Sequence, residues 1–362
     1  MTKEQKIAGF DPSQPGLADA SIFGLPFTAE ESEIIIVPAP WEVTVSYGAG
    51  ASEGPEAILE ASFQVDLQHQ EFPDLWKLGM YFDQTEQVEK WAAKSKKYKA
   101  LAQPIIAALE GGEDIEKDAK LKADLDVINT ICLEFKNELK ERLLYWMGQG
   151  KKVVLLGGDH STPLGYYEAL ASKHDSFGIL HLDAHMDLRV AYEGFTYSHA
   201  SIMYNALQLP QISKIVQVGI RDFSEGEVDV IQNSEGRVKV FTDMDLKAET
   251  FEGVSWKQQC DAIIAALPQK VTISFDIDGM YPWYCPNTGT PVPGGFSFEQ
   301  AAYLFSRLAD SGKDIIGFDL VEVAPGAEGD DWDGNVGARM LFHMCGVLAK
   351  NNNLNVGSKI KF

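Results

Sequence analysis

Four segments of this sequence carry residues able to do chemistry together: Gly157-Gly-Asp-His160-Ser, Asp183-Ala-His185-Met-Asp187, Asp276-Ile-Asp278, and Glu322 within Asp319-Leu-Val-Glu-Val. In an extended chain, residues two apart point the same way. Asp183, His185 and Asp187 can therefore share a face, as can Asp276 and Asp278. With His160 they make four carboxylates and two imidazoles, and so many acids in one place repel unless cations sit between them. The set has no sulfur donor, so it suits a hard or borderline divalent ion, and Mn2+ matches a carboxylate-rich N/O site best. Six ligands exceed the needs of one ion. They suit two ions about 3.5–4 Å apart, bridged by aspartates and a hydroxide that would act as nucleophile. Each piece alone has a plainer explanation: a turn into a helix, a surface or capping Asp pair, a hydrogen-bonded structural histidine. It is their conjunction that points to a metal centre.

Positioning these residues falls to a regular series of short β-branched runs. Lys151 to Leu156, Phe177 to Asp183, Lys214 to Gly219, Val271 to Asp276 and Asp314 to Val323 alternate with amphipathic segments such as STPLGYYEALASK and FSFEQAAYLFSRLADSG. Buried strands alternating with helices predict an α/β fold with a parallel sheet covered on both faces. Ligands of such sheets bind beyond the carboxyl ends of the strands, where the four segments lie. An earlier strand, Ile34 to Val37, leads to a glycine-rich loop and then a helix with Pro55 at its start.

Residues 1–32, rich in Pro, Gly and Ser, are expected to form an extended arm laid over the domain or a partner. The remainder, 33–362, is expected to be one catalytic domain. It is interrupted at about 85–147 by a helical insertion, two helices joined by the charged turn GGEDIEKDAK. The insertion could be a plain surface elaboration, a lid or an oligomer contact.

Composition narrows the function classes. The 362 residues carry 31 Lys and Arg against 53 Asp and Glu, a net charge of −22. Nucleic acid and anionic membrane surfaces, which need clustered positive charge, are thereby disfavoured as partners. The 45% hydrophobic and 10% aromatic content supplies a core, unlike a disordered acidic chain. Cys132, Cys260, Cys285 and Cys345 show no CxxC spacing, and no apolar run approaches the ~20 residues that span a bilayer. A cytoplasmic location is expected.

The motifs GGDHS at Gly157, HLDAHMDLR at His181, SHASIM at Ser198, SFDIDGMYPWYCPNTGTPVPGG at Ser274 and DLVEVAPG at Asp319 resemble the ureohydrolase family of arginases and agmatinases. PAPWEVTVSYGAGASEGPEAILEAS from Pro38 is similar to the agmatinase branch. The resemblance covers Pro38 to Ser62 and Lys151 to about Leu348. It implies a three-layer αβα fold around a mainly parallel sheet, and two Mn2+, with Ni2+ an alternative, held by His160, Asp183, His185, Asp187, Asp276 and Asp278. It implies hydrolysis of a guanidinium carbon to release urea, and homo-oligomers, often trimers or hexamers. His199 matches the family's active-site histidine, a proton shuttle or general acid for the leaving amine. Glu322 matches the glutamate that pairs with the guanidinium, whose planar donor array a carboxylate orients well.

Two departures bear on the substrate. Tyr281 stands where the family commonly has a third aspartate, so a contact behind the ligands or the loop conformation is expected to differ. LRVAYEGFTY after Asp187 lacks the Asn- and Ser-bearing loop with which arginases hold an α-amino acid. Agmatine, giving putrescine and urea, is the first expectation. Free guanidine is the competitor. Arg189 leaves guanidinobutyrate or formiminoglutamate open, although an ion pair supporting the fold is its plainer role. A metal-dependent amide deacetylase and a non-enzymatic subunit are the readings from other classes; Glu322 counts against the first and the complete ligand set against the second. Gly294 and Gly295 are expected to give backbone freedom only.

Overall fold

The computed structural model describes residues 1–14 and 21–362. Among these residues, eight strands form one sheet: β1 (Ile34–Ala39), β2 (Met80–Phe82), β3 (Lys152–Gly157), β4 (Phe177–Leu182), β5 (Ile212–Ile220), β6 (Val238–Thr242), β7 (Lys270–Asp276) and β8 (Asp314–Val321). Their order is β2-β1-β3-β8-β7-β4-β5-β6, and every neighbouring pair is parallel. The expected strands are all present, and the sheet is parallel throughout. Two strands were not anticipated. Met80–Phe82 is too short to show a period, and Val238–Thr242, at the sheet edge, buries only its first residue and so shows no alternation.

Alternation along β1 sets the layers. Ile34 and Ile36 face one apolar cluster, with the helices Gly54–Ser62, Trp256–Ala265, Phe298–Ala309 and Trp332–Asn351. Ile35 and Val37 face the other, with Glu86–Glu110, Ala119–Gly148, Pro163–Ala171 and Ile202–Leu207. The result is the expected three-layer αβα arrangement.

The stretch read as a helical insertion folds as two helices, Glu86–Glu110 and Ala119–Gly148, joined by a short 3-10 turn. It covers the second face over β1 and β3 and shares that core through Trp91, Ile128, Phe135 and Leu139.

The N-terminal arm departs from expectation. Lys3–Gly9 is a helix, started by a reciprocal capping box between Thr2 and Gln5. Ile22, Phe23, Leu25 and Phe27 are buried in the first cluster. Lys6 pairs with Glu31 at 2.6 Å, so the segment lies on its own chain. The Pro, Gly and Ser content of residues 11–16 obscured the preceding helix signal. The remaining stretch of the expected arm, residues 15–20, lies outside the described residues.

Among the described residues, no helix is long and apolar enough to cross a membrane. All four cysteines are buried and free.

Candidate metal centre and active-site cavity

Strand order brings the chemistry together. β3, β8, β7 and β4 are adjacent at the centre of the sheet. Their carboxyl ends lead, in that order, to His160, Glu322, the Asp276–Asp278 pair, and Asp183, His185 and Asp187. Tight backbone approach makes room for this: a Cβ on Gly158 would lie 2.1 Å from the Trp41 carbonyl oxygen.

All six expected ligands meet in a two-lobed cluster. His160 Nδ1 lies 3.0 Å from Asp183 Oδ2, 3.0 Å from Asp187 Oδ2 and 3.1 Å from Asp276 Oδ2. His185 Nδ1 lies 3.0 Å from Asp278 Oδ2 and 3.4 Å from Asp183 Oδ1. Asp183 therefore serves both lobes, one oxygen to each.

The neighbours of the rings show what belongs in the lobes. His160 Nε2 is 3.0 Å from Ser274 Oγ, which donates to Asp319 Oδ1 at 2.8 Å. That chain places the ring proton on Nε2 and turns the Nδ1 lone pair toward three carboxylate oxygens. Nδ1 is buried with no hydrogen-bond partner among the described residues. A lone pair facing three acids is repulsive unless a cation lies between them, so the donor set fits a divalent ion bound by N and O atoms.

Titration points the same way. Burial disfavours a charged His185, but Asp278 and Asp183 outweigh it and push its pKa up to about 12. Burial, then Asp278 and Asp183, holds the Asp276 carboxyl well above the usual range. Protons here stand in for metal charge, and metal binding would displace them.

His199 and Glu322 line the same cavity, about 160 Å³ in volume, with His160, His185, Asp187 and Asp276. Burial, followed by the charges of His185 and His160, lowers His199 to about 4. Its Nδ1 is buried and without a partner among the described residues. Glu322 is fixed from three sides: its N–H donates to Gly158 O at 2.9 Å, its carbonyl accepts from Thr288 Oγ1 at 2.8 Å, and Oε1 accepts from His160 N–H at 2.8 Å. This holds it at φ 63°, a left-handed conformation unusual outside glycine. Asp187 shares that feature at φ 54°.

Several supporting residues escaped the sequence reading. His181 Nδ1 accepts from Gln217 Nε2 at 3.0 Å, which leaves Nε2–H to donate to Asp183 at 2.8 Å. Arg221 donates to the carbonyls of Gly219, Asp278, Met280 and Val292, knitting the loop after β7 to β5. Ser274 precedes Asp276 by two, a visible signal, but its pairing with Asp319 follows only from the β7–β8 register.

The departures also resolve. The Tyr281 ring stacks on Trp283 at 4.2 Å, and its hydroxyl accepts from Lys247 Nζ at 3.1 Å. Lys247 also donates to Gly295 O at 2.8 Å, so Tyr281 serves the loop conformation. Gly294 and Gly295 have φ of 108° and 106°, and a Cβ on Gly295 would meet Gly279 O at 2.6 Å, in keeping with a purely backbone role. Arg189 lines the cavity mouth, 3.8 Å from Glu227 and over the Tyr192 ring at 4.9 Å.

An αβα scaffold with a two-lobed acid and imidazole centre at its central strand ends is the architecture of a metal-dependent hydrolase. The chain belongs to the arginase family, whose family model matches residues 32–346. It is 30% identical over 298 residues to the N(1)-aminopropylagmatine ureohydrolase of Synechocystis sp., covering 82% of each chain. It is 29% identical over 313 residues to the agmatinase of Neisseria meningitidis, covering 86% of this chain and 85% of that one. In fold it matches the agmatine ureohydrolase of Thermoplasma volcanium with a TM-score of 0.66 at 23% identity, over 96% of this chain and 98% of the other. It likewise matches the proclavaminate amidino hydrolase of Streptomyces clavuligerus, with a TM-score of 0.68 at 21% identity over 94% and 100%. Family membership and relatives named as ureohydrolases make it a hydrolase acting on guanidino C–N bonds.

Proposed function

We propose that the protein hydrolyses agmatine to putrescine and urea, using two Mn2+ or Ni2+ ions held by His160, Asp183, His185, Asp187, Asp276 and Asp278. The observation that carries this reading is the Glu322 carboxylate, fixed by the His160 amide at 2.8 Å and facing the same small cavity as the two-lobed cluster.

When bound, the ions would supply Lewis-acid activation of water at neutral pH. Glu322 binds and orients the planar guanidinium through paired hydrogen bonds. His199, neutral at rest with a pKa lowered to about 4, serves as a proton shuttle rather than a standing acid: it accepts a proton in the cavity and returns it to the leaving amine. Asp222, exposed at the rim, offers a carboxylate to the distal ammonium of agmatine. The N(1)-aminopropylagmatine activity named for one relative supports a cationic tail.

Arg189 at the mouth favours a second reading, a guanidino acid such as guanidinobutyrate, whose carboxylate it would pair. The free, buried cysteines suit a reducing cytoplasm, and family resemblance supports a homo-oligomer, a trimer or hexamer.

The test is urea release from agmatine, aminopropylagmatine, guanidinobutyrate, arginine and guanidine by protein loaded with manganese or nickel. Agmatine is expected to lead in kcat/KM. No urea from any of them would overturn the reading.

A further inference from the structure

The helical insertion stands outside the motifs that carry the chemistry, yet it touches two of the loops that line the cavity mouth. In its second helix, Asn129 Nδ2 donates to the Gly194 carbonyl at 3.1 Å, and Oδ1 accepts from the Thr196 amide at 2.8 Å. One side chain thus satisfies two backbone groups of the loop 189–199, as a neighbouring strand would. Both partners require this orientation of the amide. The loop needs such holding, because Ala191 and Glu193 sit at φ 44° and 55° in the left-handed region. Leu125, one turn before Asn129, packs so closely that a Cβ on Gly194 would lie 2.8 Å from it. This loop delivers Arg189, Tyr192 and His199 to the cavity.

The first insertion helix holds another wall. Lys99 pairs with Glu42, whose second oxygen accepts from the Gly50 amide at 2.8 Å. The Glu42 amide donates to Ser95 Oγ at 2.9 Å, and Gln103 Nε2 donates to the Val45 carbonyl at 3.3 Å. From the second helix, Phe135 stacks on Trp41 at 4.2 Å with the rings 2° from parallel. Glu42 is buried, so removing its lysine would strand a charge. The loop it anchors, 41–50, presents Ser46 and Tyr47 to the cavity.

The two helices act as one body. Trp91 Nε1 donates to Glu138 at 2.8 Å across the pair, and Arg142 forms a two-bond ion pair with Asp83 just beyond β2. Lys136 and Lys140 both reach Glu168, in the helix that follows the His160 loop.

We propose that the helical insertion is a positioning frame for the cavity mouth, with Asn129 and the Lys99–Glu42 pair fixing two of the loops that, with Asp222, select the non-reacting part of the substrate. This rests on the guanidino-hydrolase reading above. Asn129, Lys99 and Glu42 are positioning residues, and none of them lines the cavity. The metal cluster is built from strand ends, so loosening the mouth should weaken substrate capture while sparing the metals.

The experiment compares full-length, metal-loaded wild type with Asn129→Ala and Asn129→Asp by hydrogen exchange, metal analysis and steady-state kinetics on agmatine and guanidine. Asn129→Ala should speed amide exchange in 189–199 and leave metal content unchanged. It should raise KM for agmatine about tenfold, as expected for the loss of two ordinary hydrogen bonds, with a smaller fall in kcat because His199 starts the 3-10 turn His199–Ser201 that Ser198 caps. Guanidine, which has no tail, should be affected less. Asn129→Asp keeps the acceptor for Thr196 and loses the donor to Gly194, so it should fall between, and it carries the test if the alanine variant does not fold. Lys99→Met should speed exchange in 41–50 instead. Unchanged exchange in both loops, or faster exchange with KM unmoved, would overturn the proposal. Absence of urea from wild type would defeat the catalytic reading, while exchange at 189–199 would still decide whether the frame exists.

Discussion

The backbone N–H of His160 donates to Glu322 Oε1 at 2.8 Å, so a candidate metal ligand and the candidate guanidinium acceptor form one unit across β3 and β8. Burial and the neighbouring Asp159 hold the Glu322 carboxyl well above its ordinary range. A bound cation would restore the anion, and a guanidinium supplies one together with paired donors. Glu322→Gln keeps an acceptor for the His160 amide but loses the charge. It should raise KM or lower kcat by at least about tenfold, in line with the loss of a charge-assisted pair. Metal content by mass spectrometry should not change. Unaltered kinetics would remove Glu322 from substrate recognition.

Asp183 and Asp278 should separate the two lobes. Asp183 gives one oxygen to the His160 side and one to the His185 side, whereas Asp278 faces His185 alone among the two imidazoles. Asp183→Ala should abolish two-metal occupancy, and Asp278→Ala should remove one ion and leave the other. Metal-to-protein ratios after gel filtration provide the measurement. Two ions retained in Asp183→Ala would sink the ligand assignment.

Ser274 tests the support behind the metals. It links His160 Nε2 to Asp319 and thereby fixes which ring nitrogen faces the acids. Ser274→Ala should retain both sites at saturating metal but weaken affinity by about 10- to 100-fold, the usual effect of losing an orienting partner. Competition with a chelator would read this directly. Equal affinity in the two proteins would show that the ring is held by the acids alone.

The sequence made the chemistry more legible than its scaffold. Asp183, His185 and Asp187 could be grouped because strand geometry has a fixed period, and acids end runs whose buried character was plain. Arg221 could not be found that way. Its partners are backbone carbonyls on β5, the loop after β7 and the segment before Gly294, and sequence carries no mark of a carbonyl's position. Asp319 was hidden for a related reason: its partner Ser274 lies on a different strand, and register is a property of the assembled sheet. The insertion's helices were visible from their period. Their grip on the mouth was not, since Asn129 on a polar helix face looks like any solvated side chain.

His343 offers a pH test far from the metal cluster. It lies in the helix Trp332–Asn351, with Nε2 3.0 Å from the Ala302 carbonyl and 3.3 Å from Ser306 Oγ, and with the His69 and Phe72 rings alongside. Burial, and then the His69 charge, lowers it to about 4 from 6.5, while the hydrogen bond to the Ala302 carbonyl and then Glu71 act the other way. Between those two values the unfolded chain binds a proton at this ring and the folded chain does not. Acidification therefore favours unfolding: this contribution is absent above about pH 6.5, grows as pH falls, and levels off below about pH 4. A shift of that size corresponds to roughly 3 kcal/mol at the acid limit. His343→Gln keeps a donor for Ala302 and removes the titration. Its urea midpoint should therefore fall less steeply than that of wild type as pH is lowered from 6.5 toward 4. Groups common to both proteins cancel in the difference, so a wild-type-to-variant gap that stays constant across that window would refute a neutral, buried His343.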